Sequence, residues 1–295
     1  MTRETYGQIA CNPPEWAQEA YIKASNNDAG DGFGYSVSLD VDTLAVGANL
    51  EDSNETTITN GTTPGSSDNS SADSGAVYVF KRTGNSWAQE AYIKAANSGA
   101  GDDFGYTVSL NGDTLVVGAY EEDSNQNTIT NGTTATTDNS TGGSGAAYVY
   151  KRTGASCAQE AFIKASNAGG GDWFGWSISI NGDTLAVGAS DEDSSQNFIT
   201  NGTTSSADDS AGFAGAVFVY KRTGVSWVQE AYIKASNSGS SDSFGYTISL
   251  DLDTLAVGTP SEDSNQTTIT NGSSASTDNS NPSSGAVYVY KRVWK

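Results

Sequence analysis

The 295-residue chain contains no histidine. That removes the usual general base and proton shuttle near neutral pH, and the commonest transition-metal ligand. A Ser-His-Asp catalytic set cannot be assembled. Cysteine is nearly absent: Cys11 and Cys157 are too few for a disulfide scaffold or a zinc module. Basic residues are scarce, 14 Lys and Arg against 35 Asp and Glu, for a net charge of −21. Nucleic acid is a poor partner for such a chain, because phosphate binding needs a basic footprint. The acidity suits divalent cations or a high-salt setting, or serves solubility alone. No window carries the unbroken apolar run of a membrane-spanning helix, and no basic stretch followed by an apolar core opens the chain. The expectation is a soluble protein with no membrane insertion, either mature or produced without a leader.

What the chain has is repetition. Phe104, Tyr106, Val108 and Leu110 alternate with Gly105, Thr107 and Ser109, a period of two that suits a strand and not a helix. Asn111-Gly112 favours positive φ at two successive residues, as a hairpin with the right twist requires. Thr114 to Ala119 then returns as a second strand. The same hairpin begins at Phe33, Phe174 and Phe244, so one unit of about 70 residues recurs four times. Each unit opens with a strand headed by Trp16, Trp87, Cys157 or Trp227. Each closes with another over 75–81, 145–151, 215–221 or 285–291. A polar loop of about 25 residues separates the hairpin from that last strand.

The predicted fold is all-β: a four-bladed β-propeller, with a tail over 1–15 and a single domain over 16–295. The repeats run approximately 16–86, 87–156, 157–226 and 227–295. A blade made of hairpin, third strand and the next unit's Trp strand leaves the fourth blade without its outer strand. Residues 16–24 are predicted to supply it and close the ring. The rival is an open arc of four blades that closes only by pairing with a second chain.

The unit Asp-x-Phe-Gly-(Tyr/Trp)-(Ser/Thr)-(Val/Ile)-Ser, then Asp-Thr-Leu-(Ala/Val)-Val-Gly, then Gly-Ala-(Val/Ala)-(Tyr/Phe)-Val-(Phe/Tyr) resembles the FG-GAP repeat. That repeat builds the propeller of integrin α subunits and of many bacterial surface and secreted proteins. The Phe-Gly pairs here are Phe33-Gly34, Phe104-Gly105, Phe174-Gly175 and Phe244-Gly245. The long unit, with Glu-Asp-Ser after the second strand, looks closest to the bacterial type. The resemblance implies an extracellular or cell-surface location and a role in adhesion. Two departures stand out. The turns at 40–42, 111–113, 181–183 and 251–253 are too short to wrap a calcium ion by themselves, and the blades number four where integrin rings have seven.

The polar loops hold the candidate sites, since loops of this length in a compact domain are functional or disordered. Ile58, Ile129, Ile199 and Ile269 recur in them as potential anchors, which favours order. Asp52, Asp123, Asp193 and Asp263 are hard oxygen ligands suited to one calcium ion per loop. Their alternative role is to make Asx turns with their own backbone. Asn60, Asn131, Asn201 and Asn271 match the acceptor pattern for N-glycosylation. Asp31, Asp102, Asp172 and Asp242 stand two residues before each Phe, where a turn cap is favoured over acid–base work. Trp16, Trp87 and Trp227 suit packing, whereas Trp173 and Trp176 break the repeat and are candidates for stacking on a sugar. Cys11 and Cys157 fall in blades across the ring, so a bond between them would join neighbouring chains.

These features predict a non-catalytic, secreted or surface-bound propeller that binds an extracellular protein or a glycan through repeated acidic loops. The alternatives are a lectin with one sugar subsite per blade and a structural protein that self-assembles as a homo-oligomer.

Overall fold

The computed structural model describes residues 15–63 and 65–293. All regular elements among them are β-strands. In the first sheet β1 (Ser36–Asp40) turns back into β2 (Thr43–Ala48). The polar loop adds a short β3 (Ile58–Asn60), and β4 (Ala76–Thr83) and β5 (Ser86–Ile93) follow. The order across the sheet is β1-β2-β4-β5-β3, antiparallel throughout. The second sheet repeats it with β6 (Thr107–Asn111), β7 (Thr114–Ala119), β8 (Thr130–Asn131), β9 (Ala146–Thr153) and β10 (Ser156–Ile163). The third uses β11 (Phe174–Asn181), β12 (Thr184–Ala189), β13 (Thr200–Asn201), β14 (Ala216–Thr223) and β15 (Ser226–Ile233). The fourth has three strands, β16 (Thr247–Asp251), β17 (Thr254–Thr259) and β18 (Ala286–Lys291).

These sheets are the four blades of a β-propeller, the first three built from hairpin, third strand and the next repeat's Trp strand and the fourth from hairpin and third strand alone. The polar loops are ordered, and three of them add a fifth strand that the alternation alone did not reveal. Two or three residues are too few to show a period of two. Ile58 and Ile129 anchor their loops against the core, whereas Ile199 and Ile269 are exposed.

The hydrophobic core lies between blades. Val77, Val79 and Ile93 of blade one meet Phe104, Leu115 and Val117 of blade two in one buried cluster. Strands such as β7, Thr-Leu-Val-Val-Gly-Ala, are buried on both faces because a blade covers each side. Gly118 is required there, since a Cβ at that position would lie 2.2 Å from the Gly175 carbonyl of blade three. The inner strands are stitched as well. Ser36 Oγ donates to Gly105 O (2.7 Å), Thr107 Oγ1 to Gly175 O (3.0 Å) and Ser177 Oγ to Gly245 O (2.6 Å).

Two local expectations change. The inner strand begins at Thr107 instead of Phe104 in blade two; Phe104 makes only a lone bridge to Gly75 of blade one, while its ring packs on Tyr148 and Tyr150. At the hairpin, Asn111 pairs with Thr114, so the turn residues are Gly112 and Asp113 and only Gly112 has positive φ.

The larger correction concerns closure. Residues 15–24 form no strand, and among the described residues nothing pairs with the outer edge of β18. The segment instead lies on blade one, where Ile22 and Ala24 join Val46 and Tyr78 in a buried cluster and Glu19 reaches Arg82 at 3.2 Å. β1 packs on β6, β6 on β11 and β11 on β16, but no comparable packing joins β16 to β1. The physical reason is locality. In blades one to three the outer strand follows its partner through a tight turn such as Thr83-Gly84-Asn85-Ser86, whereas in blade four it would have to come from the far end of the chain.

Candidate functional site

The loop that follows each second strand starts with a Glu-Asp pair whose members have separate roles. The Glu turns inward. Glu51 Oε2 accepts from Lys94 Nζ at 2.9 Å, Glu122 from Lys164 at 2.7 Å and Glu192 from Lys234 at 2.8 Å, all fully buried pairs. Burial pulls the three lysines below their ordinary range, against the pull of the adjacent carboxylate. The Asp faces the loop and closes it. Asp52 Oδ1 accepts from Asp73 N (2.8 Å), Asp123 from Gly143 N (2.9 Å), Asp193 from Phe213 N (2.8 Å) and Asp263 from Ser283 N (2.7 Å). Among the described residues no three Asp, Glu or Cys side chains converge as a metal site. Each aspartate thus ties its loop to a backbone N–H through one carboxylate oxygen.

The candidate glycosylation sites divide. Asn60 Oδ1 accepts from Cys157 N at 2.7 Å and its Nδ2 donates to Cys157 O at 3.3 Å. Asn131 clamps Trp227 in the same way, at 2.7 and 3.4 Å. A glycan on either Nδ2 would leave it one N–H for this clamp between blades. All four asparagines are exposed, but among the described residues Asn201 and Asn271 make no such clamp. Cys157 is a free, buried thiol whose pKa burial pushes up to about 11. Its burial puts a disulfide to another chain out of reach, and Cys11 lies outside the described residues. Trp227 is buried under Arg222 and its Nε1 donates to Glu160 at 3.0 Å, a packing role as expected. Trp87 packs partly against the blade-one cluster, but Trp16 is fully exposed, contrary to expectation, because its segment pairs with no strand among the described residues.

The aspartates before each Phe are turn caps. Asp102 Oδ2 accepts from Gly99 N, Asp172 from Gly169 N and Asp242 from Gly239 N, each at 2.7 Å, and Asp31 from Asp28 N at 2.9 Å. Burial raises them, Asp102 and Asp172 to about 7 and Asp242 to about 6. One backbone N–H does not compensate for the water that each carboxylate has lost.

A different constellation forms at the loop-bearing mouth of the blade seams. Tyr106 and Trp176, each following a Phe-Gly pair, sit 4.8 Å apart between centroids. Tyr35 and Tyr246 extend this row at either end. Tyr120 packs on both Tyr106 and Trp176, and Trp173 stacks on Trp176 at 5.2 Å with the planes 13° apart. Trp173 therefore stands with Trp176, as their shared departure from the repeat suggested. Beside Trp173 a cleft of about 500 Å³ opens between blades three and four, lined also by Gly171, Asp191, Phe213, Ser241 and Ser243. Trp173, Phe213, Ser241 and Ser243 all take left-handed φ values, between 55° and 68°. Bulky residues avoid that region, so Trp173 and Phe213 are held there by the surrounding backbone. Trp173 N donates to Gly143 O and Phe213 N to the Asp193 carboxylate. Asp191 is buried at the cleft, and its pKa rises to about 6 through burial, with the Asp193 charge adding to the effect.

The scaffold that presents this cleft matches the family model described as FG-GAP repeat, over residues 16–80, 87–150, 157–220 and 227–290. The chain belongs to the FG-GAP repeat family. No curated protein matches it. Six columns of its FG-GAP repeats hold a different residue in every copy, and four of them meet at the seam mouths. Those four are Gly32, Asp103, Trp173 and Ser243; Asn49, Tyr120, Ser190 and Pro260; Leu50, Glu121, Asp191 and Ser261; and Asp73, Gly143, Phe213 and Ser283. The fold brings these columns together at the seam mouths, where blade two's Tyr120 packs 5.5 Å from blade three's Trp173. Asp191, Phe213 and Tyr120 were not anticipated. Comparing the repeats column by column holds the signal that would have found them.

Proposed function

We propose that this FG-GAP chain is a non-catalytic binding propeller, secreted or at the cell surface, that takes a saccharide at the cleft between blades three and four. The observation that carries this reading is the convergence of four of the six variable columns on one face of an otherwise near-identical scaffold. Residues that only build the blade can be the same in every copy, whereas a specific site must differ from its repeats. Trp173 and Phe213 offer apolar faces to a sugar ring, and Asp191, Ser241 and Ser243 offer groups for its hydroxyls. The repeated acidic loops serve here as the frame of one site and not as four equal sites. The extracellular location rests on the family resemblance.

A glycan array followed by titration of tryptophan fluorescence tests the proposal. A hit should quench or shift the emission, and Trp173→Ala should weaken binding at least tenfold, since stacking and hydrogen bonding at such a site supply more than about 1.4 kcal/mol. Binding that survives Trp173→Ala, or an array with no hit, would sink the saccharide reading. In the second case, capture of an extracellular protein through the same face would keep the adhesion role.

A further inference from the structure

Every internal seam of the arc is built from the same matched halves, and the two end blades each expose one half. The donors Ser36, Thr107 and Ser177 each cross to a glycine carbonyl of the next blade, whereas Thr247 holds the same place on blade four with no blade beyond it. A Cβ on Gly47, Gly118 or Gly188 would strike the next blade's backbone within 2.3 Å, but on Gly258 it would meet only its own blade's Thr247. Val77 and Val79 are covered by blade two, while their counterparts Val287 and Val289 are 70% and 67% exposed. The fifth-strand anchors Ile199 and Ile269, which lack the outer strand or blade that covers Ile58 and Ile129, are exposed.

The charges are split in the same way. Each of the first three blades buries a Glu from its loop against a Lys from its outer strand. In blade four Glu262 is buried, held by Asn237 at 2.8 Å and Ser264 N at 3.1 Å, and no cation accompanies it among the described residues. The lysine at the matching position of the repeat is Lys23, which stands exposed on the segment that lies along blade one.

We infer that the open edge of blade four takes up blade one of a second copy of this chain, whose residues 15–22 add as a fourth strand to β18 and whose Lys23 enters the Glu262 site. The occupant follows from continuity with the internal seams and from the complementary charge. Within one chain the segment is already seated on its own blade one, and blade four is not packed against that blade. A contact of this kind is head-to-tail: it closes if the blades' curvature allows a ring and extends if it does not. It also covers the unpaired edge of β18, which otherwise invites uncontrolled strand pairing.

The internal register supplies the test. Val79 lies opposite Ala91, Val149 opposite Ala161 and Val219 opposite Ala231, so Val289 should lie opposite Ala20 of the second copy. Directly opposed positions in an antiparallel pair are close enough for a disulfide. Full-length chains carrying Cys11→Ser with either Ala20→Cys or Val289→Cys are mixed under mild oxidation and run on a non-reducing gel. A band joining one chain of each kind is expected. Wild-type protein should sediment with the mass of two or more chains, and Lys23→Glu should return it to a single folded chain that melts as the wild type does when diluted to single chains. Both new cysteines and the Lys23 substitution fall on exposed positions, so misfolding does not confuse the result. A wild type that stays a single chain would overturn the inference. So would a double variant, Ala20→Cys with Val289→Cys, that oxidises only within one chain.

Discussion

Blades two and four show how little of a strand's fate its own residues decide. β9 reads Ala-Ala-Tyr-Val-Tyr-Lys and β18 reads Ala-Val-Tyr-Val-Tyr-Lys. Val149 is fully buried in the first, and its counterpart Val289 is 67% exposed in the second. The hairpins beside them and the pairing to β7 and β17 are the same. What differs is the cover: β9 has β10 on its outer side and a following blade, and β18 has neither among the described residues. In a repeat array stability is the sum of what each unit holds by itself and what each interface adds, and the interface term is missing at the edge of blade four.

The sharpest way to break this comparison is to place a charge at the two equivalent positions. Val149→Asp should destabilise the chain by about 3–5 kcal/mol, the cost of leaving a charge buried and unpaired. Val289→Asp should change it by no more than about 0.5 kcal/mol under dilute, single-chain conditions. Urea unfolding of both variants measures the difference. Equal losses would mean that the two blades are equally covered.

A smaller contrast is expected at the loop asparagines. Asn131→Ala removes both bonds to the Trp227 backbone and should cost about 1–3 kcal/mol, because buried groups lose their partner. Asn201→Ala, at an exposed position in the next repeat, should cost about 0.5 kcal/mol or less. Comparable losses would show that Asn201 is clamped as well.

A pH-dependent effect concerns the turn caps. Asp172 has its pKa raised to about 7 in the fold, from an ordinary carboxylate value in the unfolded chain. The folded state therefore binds this proton more tightly, and its contribution to stability is complete below about pH 4 and lost as pH rises towards 7. Asp172→Asn keeps an acceptor for Gly169 N without the charge. Its melting point relative to wild type should climb between pH 4 and pH 8. A difference that stays constant with pH would show that the carboxyl titrates normally.

Much of the fold was legible before any coordinates. The alternation at Phe104–Leu110 and the recurrence at Phe33, Phe174 and Phe244 fixed four hairpins, and the order of strands fixed how each blade borrows from the next repeat. Local period and spacing suffice for these because they reflect contacts within or between adjacent strands. The short strands β3, β8 and β13, about ten residues into the polar loops, gave no such signal, and they pair with strands about 30 residues away. The candidate site was legible in part. Trp173 and Trp176 stood out as departures, while Asp191 and Phe213 looked like ordinary loop residues until the seam joined them. Asp52 and its counterparts read equally well as metal ligands or as caps, because a carboxylate's type does not reveal whether a backbone N–H arrives first.

The sequence alone determined the repeat, the strands, the blade count and the chemistry available, since each follows from residue type and spacing along one chain. Tertiary structure decided which copies of the same residue are buried, which loop positions meet at the seam mouth and which edge remains uncovered. Those outcomes depend on the blade packed alongside, and near-identical repeats cannot encode a neighbour that only some of them have.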